Sequence, residues 1–113
     1  MIQIYHNPRC QKSRTALAYV ESTGEKVDVI EYLKTPPTAK ELTSVLNKLK
    51  LKPIDIARKK EVLFIEEYKD KSFSDAQWIK ILVENPILIE RPILISENKA
   101  VIARDEESLQ QFI

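Results

Sequence analysis

The chain opens with a short alternation of apolar and polar residues and then changes to helical spacing. Residues 2–5, IQIY, have the period of two that predicts a first β-strand. Helical spacing follows in Ala16, Leu17 and Val20. Gly24 is a suitable stop for this helix, and residues 27–31 form a second β-prone run. The opening therefore predicts a β-α-β unit with parallel strands and a right-handed crossover.

The middle of the chain is predicted to be helical. Pro36 and Pro37 break the second strand, and Thr38 to Glu41 then has the spacing of a helix capping box. Ser74 to Gln77 has the same spacing and opens a helix that must end before Pro86. Between these helices, residues 54–68 predict one or two short helical turns. We therefore expect a helical insert over approximately residues 36–86.

The last part of the chain returns to strands. Residues 93–96 and 100–103 predict a β-hairpin, and the tail from Asp105 predicts a final helix. The order β-α-β, helical insert, β-β-α is that of an α/β, thioredoxin-like fold with a four-stranded mixed sheet. A length of 113 residues suits one domain spanning residues 1–113.

Composition excludes several classes of partner. Eighteen basic and seventeen acidic residues give a net charge of +1, too small for a broad nucleic-acid or membrane-surface footprint. No apolar run approaches the ~20 residues of a membrane span, and the N-terminus lacks a signal-peptide pattern. We expect a cytoplasmic protein with no nucleic-acid or membrane partner. Nothing in the sequence demands an oligomer, so we expect a monomer.

Three scarcities restrict the chemistry further. A single glycine excludes the glycine-rich phosphate loops of Rossmann and P-loop proteins. One cysteine and one histidine cannot make a usual zinc site, so no metal centre is expected. A lone cysteine also forbids an intramolecular disulfide. Any redox chemistry must therefore recruit a second thiol from another molecule.

Cys10 lies at the predicted start of the first helix, among basic residues. The free N–H groups of a first helical turn and the helix dipole both favour an anion there. Sites of this kind can lower a thiol pKa from about 8.5 to between about 3.5 and 7.5. Arg14 is close enough in sequence to support a thiolate, and Ser13 could donate a hydrogen bond to it. The alternative is a small buried cysteine without chemistry.

His6 and the arginines also have two interpretations each. His6 could tune the thiol, or it could simply be structural. Most of the positive charge is carried by lysine, while Arg91 precedes Pro92 at the entry to the predicted hairpin and Arg104 directly follows its last strand. The segment before the third strand of a thioredoxin-like fold lies beside the redox cysteine, and its X-Pro bond is commonly cis. The planar guanidinium suits an oxyanion, although any one arginine could be a surface salt bridge.

Three segments together resemble the glutaredoxin-linked arsenate reductases, which use glutathione: IYHNPRCQKSR, EYLKTPP and NPILIERPILI. The resemblance covers nearly the whole chain. It implies that Cys10 is the catalytic cysteine and that His6 helps to activate it. It also implies that three arginines bind and polarise the oxyanion: Arg58, Arg91 and Arg104. Arg104 is followed by Asp105, where the family often has proline, so a carboxylate could compete for that arginine.

The mechanism implied by the resemblance begins with attack of Cys10 on arsenate or a similar oxyanion. Glutathione then acts as a co-substrate and glutaredoxin resolves the mixed disulfide, with no tightly bound cofactor. Two other functions stay open. The chain could be a glutathione-dependent thiol oxidoreductase with another substrate, or an Spx-like regulator that binds RNA polymerase. Ser13 in place of a second cysteine argues against the disulfide switch of such regulators.

Overall fold

A computed structural model describes residues 1–112 of the chain. Within these residues the strands are β1 (Ile2–Tyr5), β2 (Val27–Ile30), β3 (Ile93–Ile95) and β4 (Ala100–Ile102). The α-helices are α1 (Gln11–Ser22), α2 (Ala39–Leu49), α3 (Val62–Glu67), α4 (Asp75–Glu84) and α5 (Glu106–Phe112). Two 3₁₀ turns, Pro53–Ile56 and Pro86–Leu88, precede α3 and follow α4.

The strands form one mixed sheet in the order β2-β1-β3-β4. β1 pairs in parallel with β2, and Ile2 lies opposite Val27. β3 is antiparallel to β1 and to β4. This arrangement confirms the predicted α/β, thioredoxin-like fold with a four-stranded mixed sheet. It also sets the carboxyl end of β1 beside the beginning of β3, where Tyr5 lies opposite Ile93.

The sheet and the helices α1 and α5 belong to the first of two compact units, Met1–Thr35 with Arg91 onward. Alternation along β1 directs Ile2 and Ile4 to one face of the sheet, where both are buried. α1 and α5 pack on that face, and the core cluster comprises Ile2, Ile4, Ala16, Val20, Leu94, Ala103, Leu109 and Phe112. This packing holds the N-terminal end of α1 near the end of β1.

The second compact unit, Pro36–Glu90, contains the helices between β2 and β3. It extends a few residues beyond the predicted boundary at 86. Its core is partly aromatic, with the Trp78 ring 5.9 Å from that of Phe64 and 5.1 Å from that of Phe73, measured between centroids. The single-domain organisation of residues 1–113 stays a prediction.

Local sequence rules set the starts of the main helices in this unit. Thr38 Oγ1 accepts a hydrogen bond from the Glu41 N–H at 3.1 Å, and Glu41 Oε1 accepts one from the Thr38 N–H at 2.9 Å. Ser74 and Gln77 make the same reciprocal pair at the start of α4. Both predicted capping boxes are therefore confirmed, since each satisfies helix N–H groups that lack intrahelical acceptors.

None of the helices described between residues 1 and 112 combines the length and hydrophobicity that a membrane span requires. The cytoplasmic location stays a prediction.

The capping box of α2 can be tested by its contribution to stability. Thr38→Ala should lower the free energy of unfolding by about 1 kcal/mol, because the Glu41 N–H loses its acceptor. Thr43→Ala is the matched control, since Thr43 is exposed on the same helix and its hydroxyl donates to the Ala39 carbonyl within that helix. Urea unfolding should place Thr43→Ala within about 0.5 kcal/mol of the unmodified chain. Equal losses in the two variants would contradict a specific role of the cap.

Candidate active site

The loop between β1 and α1 is shaped by Asn7. The His6 N–H continues the pairing of β1 with β2, donating to the Ile30 carbonyl at 2.9 Å. Asn7 then accepts twice at 3.0 Å, from the Arg9 N–H at its side chain and from the Cys10 N–H at its carbonyl. These bonds form a tight turn that delivers Cys10 to the first position before α1, its N-cap. The residue spacings assign Asn7 no role, and its only signal in the sequence is that of an asparagine before a proline, which favours a turn.

The surroundings of Cys10 determine the pKa of its thiol. Burial acts against the charged form and raises the pKa of Cys10. The backbone N–H of Ser13, the Arg91 guanidinium and the backbone N–H of Lys12 act in the opposite direction. Together they outweigh burial, so the pKa of Cys10 lies below its ordinary value. The half-buried thiol is therefore shifted towards the nucleophilic thiolate.

Ser13 supports the thiolate through its backbone, while its side chain has other partners. The hydroxyl is fully buried and lies 2.7 Å from Nδ1 of His6. The same oxygen accepts the Asn7 N–H at 3.0 Å. Ser13 therefore links the end of β1 to the first turn of α1, in addition to the backbone effect on the sulfur. The sequence predicts support of the thiolate by Ser13 but does not distinguish its backbone from its hydroxyl.

His6 is buried, with only 6% of the residue's surface exposed. Burial lowers the pKa of His6, and it outweighs the raising effect of the Glu31 carboxylate. The ring is therefore neutral near pH 7, and its hydrogen bond joins it to Ser13. This geometry connects His6 to the thiol through Ser13.

Arg14 lies on the exposed side of the first turn. Its guanidinium donates to the Pro8 carbonyl at 2.9 Å and to Oε1 of Gln11 at 2.6 Å. These bonds fasten the loop to α1 across the segment that contains Cys10. Direct support of the thiolate by Arg14 stays a prediction.

Arg91 is the predicted arginine that reaches Cys10 within the first unit. It directly precedes β3, and its bond to Pro92 is cis, as expected for this position. The half-buried guanidinium hydrogen-bonds to the Cys10 thiol and adds an electrostatic attraction for the thiolate. The Arg91 guanidinium therefore acts directly on the nucleophilic sulfur of Cys10.

The other two arginines have different surroundings. Arg104 follows β4 and is exposed. The pKa of Asp105 is lowered mainly by hydrogen bonding from Ser108, and the charge of Arg104 lowers it further. Arg58 belongs to the second unit and pairs there with Glu61, Nη1 to Oε2, at 3.0 Å. Binding of an oxyanion by Arg58 or Arg104 stays a prediction.

The arrangement at Cys10 favours nucleophilic attack on the electrophilic central atom of an oxyanion. The thiolate supplies the electron pair, and the guanidinium of Arg91 can share the charge of an incoming oxyanion. The nearby N–H groups of Lys12 and Ser13 add partial positive charge at the same point.

Comparison with known proteins agrees with this chemistry. The model of the ArsC family matches residues 5–112. An arsenate reductase of Neisseria meningitidis serogroup A is 37% identical over 111 residues, covering 96% of this chain and 95% of that protein. The uncharacterized protein YfgD of Escherichia coli is 38% identical over 114 residues, covering 99% and 96%.

A solved structure shows the same likeness in three dimensions. The arsenate reductase from Vibrio cholerae superposes with a TM-score of 0.91 at 37% identity, covering 99% of this chain and 97% of that one. The family match spans almost all the described residues, and the sequence and structural likenesses extend over whole chains. The protein therefore belongs to the ArsC family.

Proposed function

We propose that the protein reduces arsenate to arsenite through an adduct on Cys10, with glutathione and glutaredoxin supplying the electrons. The observation that carries this proposal is the pairing of the Cys10 sulfur with the Arg91 guanidinium. Relatives named arsenate reductase support the substrate. The lone cysteine supports an external reductant, because the chain has no second thiol to close a disulfide.

The first step is attack of the Cys10 thiolate on arsenic(V). A sulfur–arsenic bond forms, one arsenic–oxygen bond breaks, and the departing oxygen takes up protons and leaves as water. An anionic nucleophile and an anionic substrate repel each other, so the step needs a cation between them. Arg91 meets this need, since its planar fork can bind two oxygens while it faces the sulfur.

The second step transfers electrons. A glutathione sulfur attacks the Cys10 sulfur, and the sulfur–arsenic bond breaks with its electron pair kept by arsenic. Arsenic(V) becomes arsenic(III), and the thiol proton ends on the departing arsenite. Cys10 is left in a mixed disulfide with glutathione. A glutaredoxin thiolate then attacks the glutathione sulfur and releases Cys10 as its thiolate. No metal or tightly bound cofactor is needed for this electron balance.

His6 is a positioning residue in this scheme. Its neutral ring holds the Ser13 hydroxyl at 2.7 Å, and that hydroxyl also holds the Asn7 N–H. The loop that presents Cys10 is thereby fixed relative to the N–H groups that stabilise its sulfur. His6 thus acts on the thiol through the geometry of Ser13.

Arsenate-dependent NADPH oxidation, coupled through glutathione, glutaredoxin and glutathione reductase, tests the proposed function. The unmodified chain should turn over, and Cys10→Ser should reduce turnover to background because the adduct cannot form. Ser22→Ala is the control for a serine-sized change on the same helix, and it should retain activity.

If no arsenate turnover is observed, the rate of Cys10 alkylation shows whether the thiol is reactive. Rapid modification of Cys10 at about pH 6, without arsenate turnover, would keep the reactive thiol and discard arsenate as its substrate. Slow alkylation together with no turnover would remove the catalytic interpretation altogether.

The burial of His6 predicts a specific pH dependence of stability. The folded pKa lies below the unfolded value of about 6.5, so the unfolded chain takes up the proton first as the pH falls. The stabilisation is nearly complete at about pH 7.5 and is lost progressively as the pH falls through the unfolded pKa. The free energy of unfolding should therefore fall more steeply in the unmodified chain than in His6→Asn between about pH 7.5 and 5.5.

Urea unfolding at several pH values measures this difference. Titration of the carboxylates is common to both proteins and cancels in the comparison. Parallel curves would contradict a depressed pKa of His6.

A further inference from the structure

A groove of about 300 Å³ lies between α1 and the segment that joins β4 to α5. One wall contains Lys12, Thr15 and Tyr19, and the other contains Arg104, Asp105 and Leu109. We refer to it as the α1–α5 groove. Its volume is at the lower end of the range of about 300–1,000 Å³ found for small-molecule sites. A short peptide or a metabolite therefore suits it better than a protein surface.

The groove begins at the first turn of α1, at the two residues that follow Cys10 in the chain. Gln11 and Lys12 line it and directly follow Cys10 in the chain. The Lys12 N–H is one of the groups that lower the pKa of Cys10. A molecule lying along this face of α1 would have one end next to the sulfur.

The lining carries charges of both signs above an apolar floor. Lys12 and Arg104 are cationic, while Asp105 and Glu106 are anionic. Hydrogen bonds from Ser108 lower the pKa of Asp105, so its carboxylate form is favoured further. Leu109 and the body of Tyr19 supply apolar surface. This combination suits a zwitterion that has carboxylates, an ammonium group and a peptide body.

We propose that the α1–α5 groove binds glutathione while its sulfur attacks the sulfur of Cys10. Glutathione has two carboxylates, one ammonium group and a central thiol, which match the lining and the reach to Cys10. Lys12 binds one carboxylate, and Asp105 and Glu106 bind the ammonium group. This inference rests on the proposed function only for the choice of reductant.

A disulfide-exchange assay isolates this binding from arsenate chemistry. Cys10 is first converted by dithiobis(nitrobenzoate) to its mixed disulfide with thionitrobenzoate. A glutathione thiolate then attacks the Cys10 sulfur, a new disulfide bond forms, and the coloured thionitrobenzoate leaves with the electron pair of the old bond. 2-Mercaptoethanol undergoes the same exchange and lacks the charged groups. The ratio of the two rate constants therefore reports recognition of glutathione.

Thr15→Trp fills the groove and should lower the glutathione to 2-mercaptoethanol ratio about tenfold, equivalent to ~1.4 kcal/mol of binding. Ala18→Trp is the matched control, because Ala18 is exposed on the same helix and does not line the groove. Its ratio should stay within about twofold of the unmodified value. Equal ratios in the two tryptophan variants would overturn the proposal.

A charge reversal provides a second test in case the bulky variant unfolds. Lys12→Glu keeps the backbone N–H that acts on Cys10 and places a negative charge on the groove wall. The glutathione ratio should fall at low salt and recover partly at high salt, because exposed charges are screened. An unchanged ratio would contradict binding of a glutathione carboxylate by Lys12.

The assay also separates the two proposals. A ratio that responds to Thr15→Trp in a protein that does not reduce arsenate would keep the groove and remove the proposed function. Arsenate turnover with no response of the ratio would do the reverse.

Discussion

A thiolate that is half removed from water loses hydration, and at Cys10 this loss is offset by fixed donors. The N–H groups of Lys12 and Ser13 have no acceptor within α1, because they belong to its first turn. They approach the sulfur because Cys10 occupies the N-cap of that helix. The Arg91 guanidinium adds a full charge from the start of β3. Burial alone would raise the pKa of Cys10 and leave a neutral thiol. The nucleophilicity of Cys10 therefore depends on these donors outweighing the effect of burial.

Ser13 is the residue on which this geometry depends most. Its hydroxyl is buried between Nδ1 of His6 and the Asn7 N–H, so the loop cannot shift without exposing or breaking these bonds. Its backbone N–H acts on the sulfur at the same time. A serine three residues after the cysteine therefore has a structural reason of its own. Because the chain has a single cysteine, the proposed function assigns the reducing equivalents to an external molecule, and the α1–α5 groove is its proposed site.

The sequence predicted the features that depend on neighbouring residues. The alternation in residues 2–5 and the capping spacings at Thr38 and Ser74 are local rules, and all three were confirmed. The effect of Arg91 on Cys10 is not local, since it requires β3 to pair with β1. It was foreseen only through the thioredoxin-like element order.

Other parts of the site were beyond the reach of sequence patterns. The side-chain direction of Ser13 follows from the packing of α1 on the sheet, and no spacing rule distinguishes contact with His6 from contact with the sulfur. The role of Asn7 depends on a turn in which it accepts two backbone N–H groups. The α1–α5 groove joins residues about ninety positions apart, so it became visible only once the helices were placed.

The most direct test of this account is an NMR titration of the Cys10 side chain in the unmodified chain and in Arg91→Gln. The account predicts a pKa below the ordinary thiol value of about 8.5 in the unmodified chain and a higher pKa in the variant. A Cys10 that titrates at or above the ordinary value, or at the same pH in both proteins, would contradict the claim that the fold holds this sulfur as an anion.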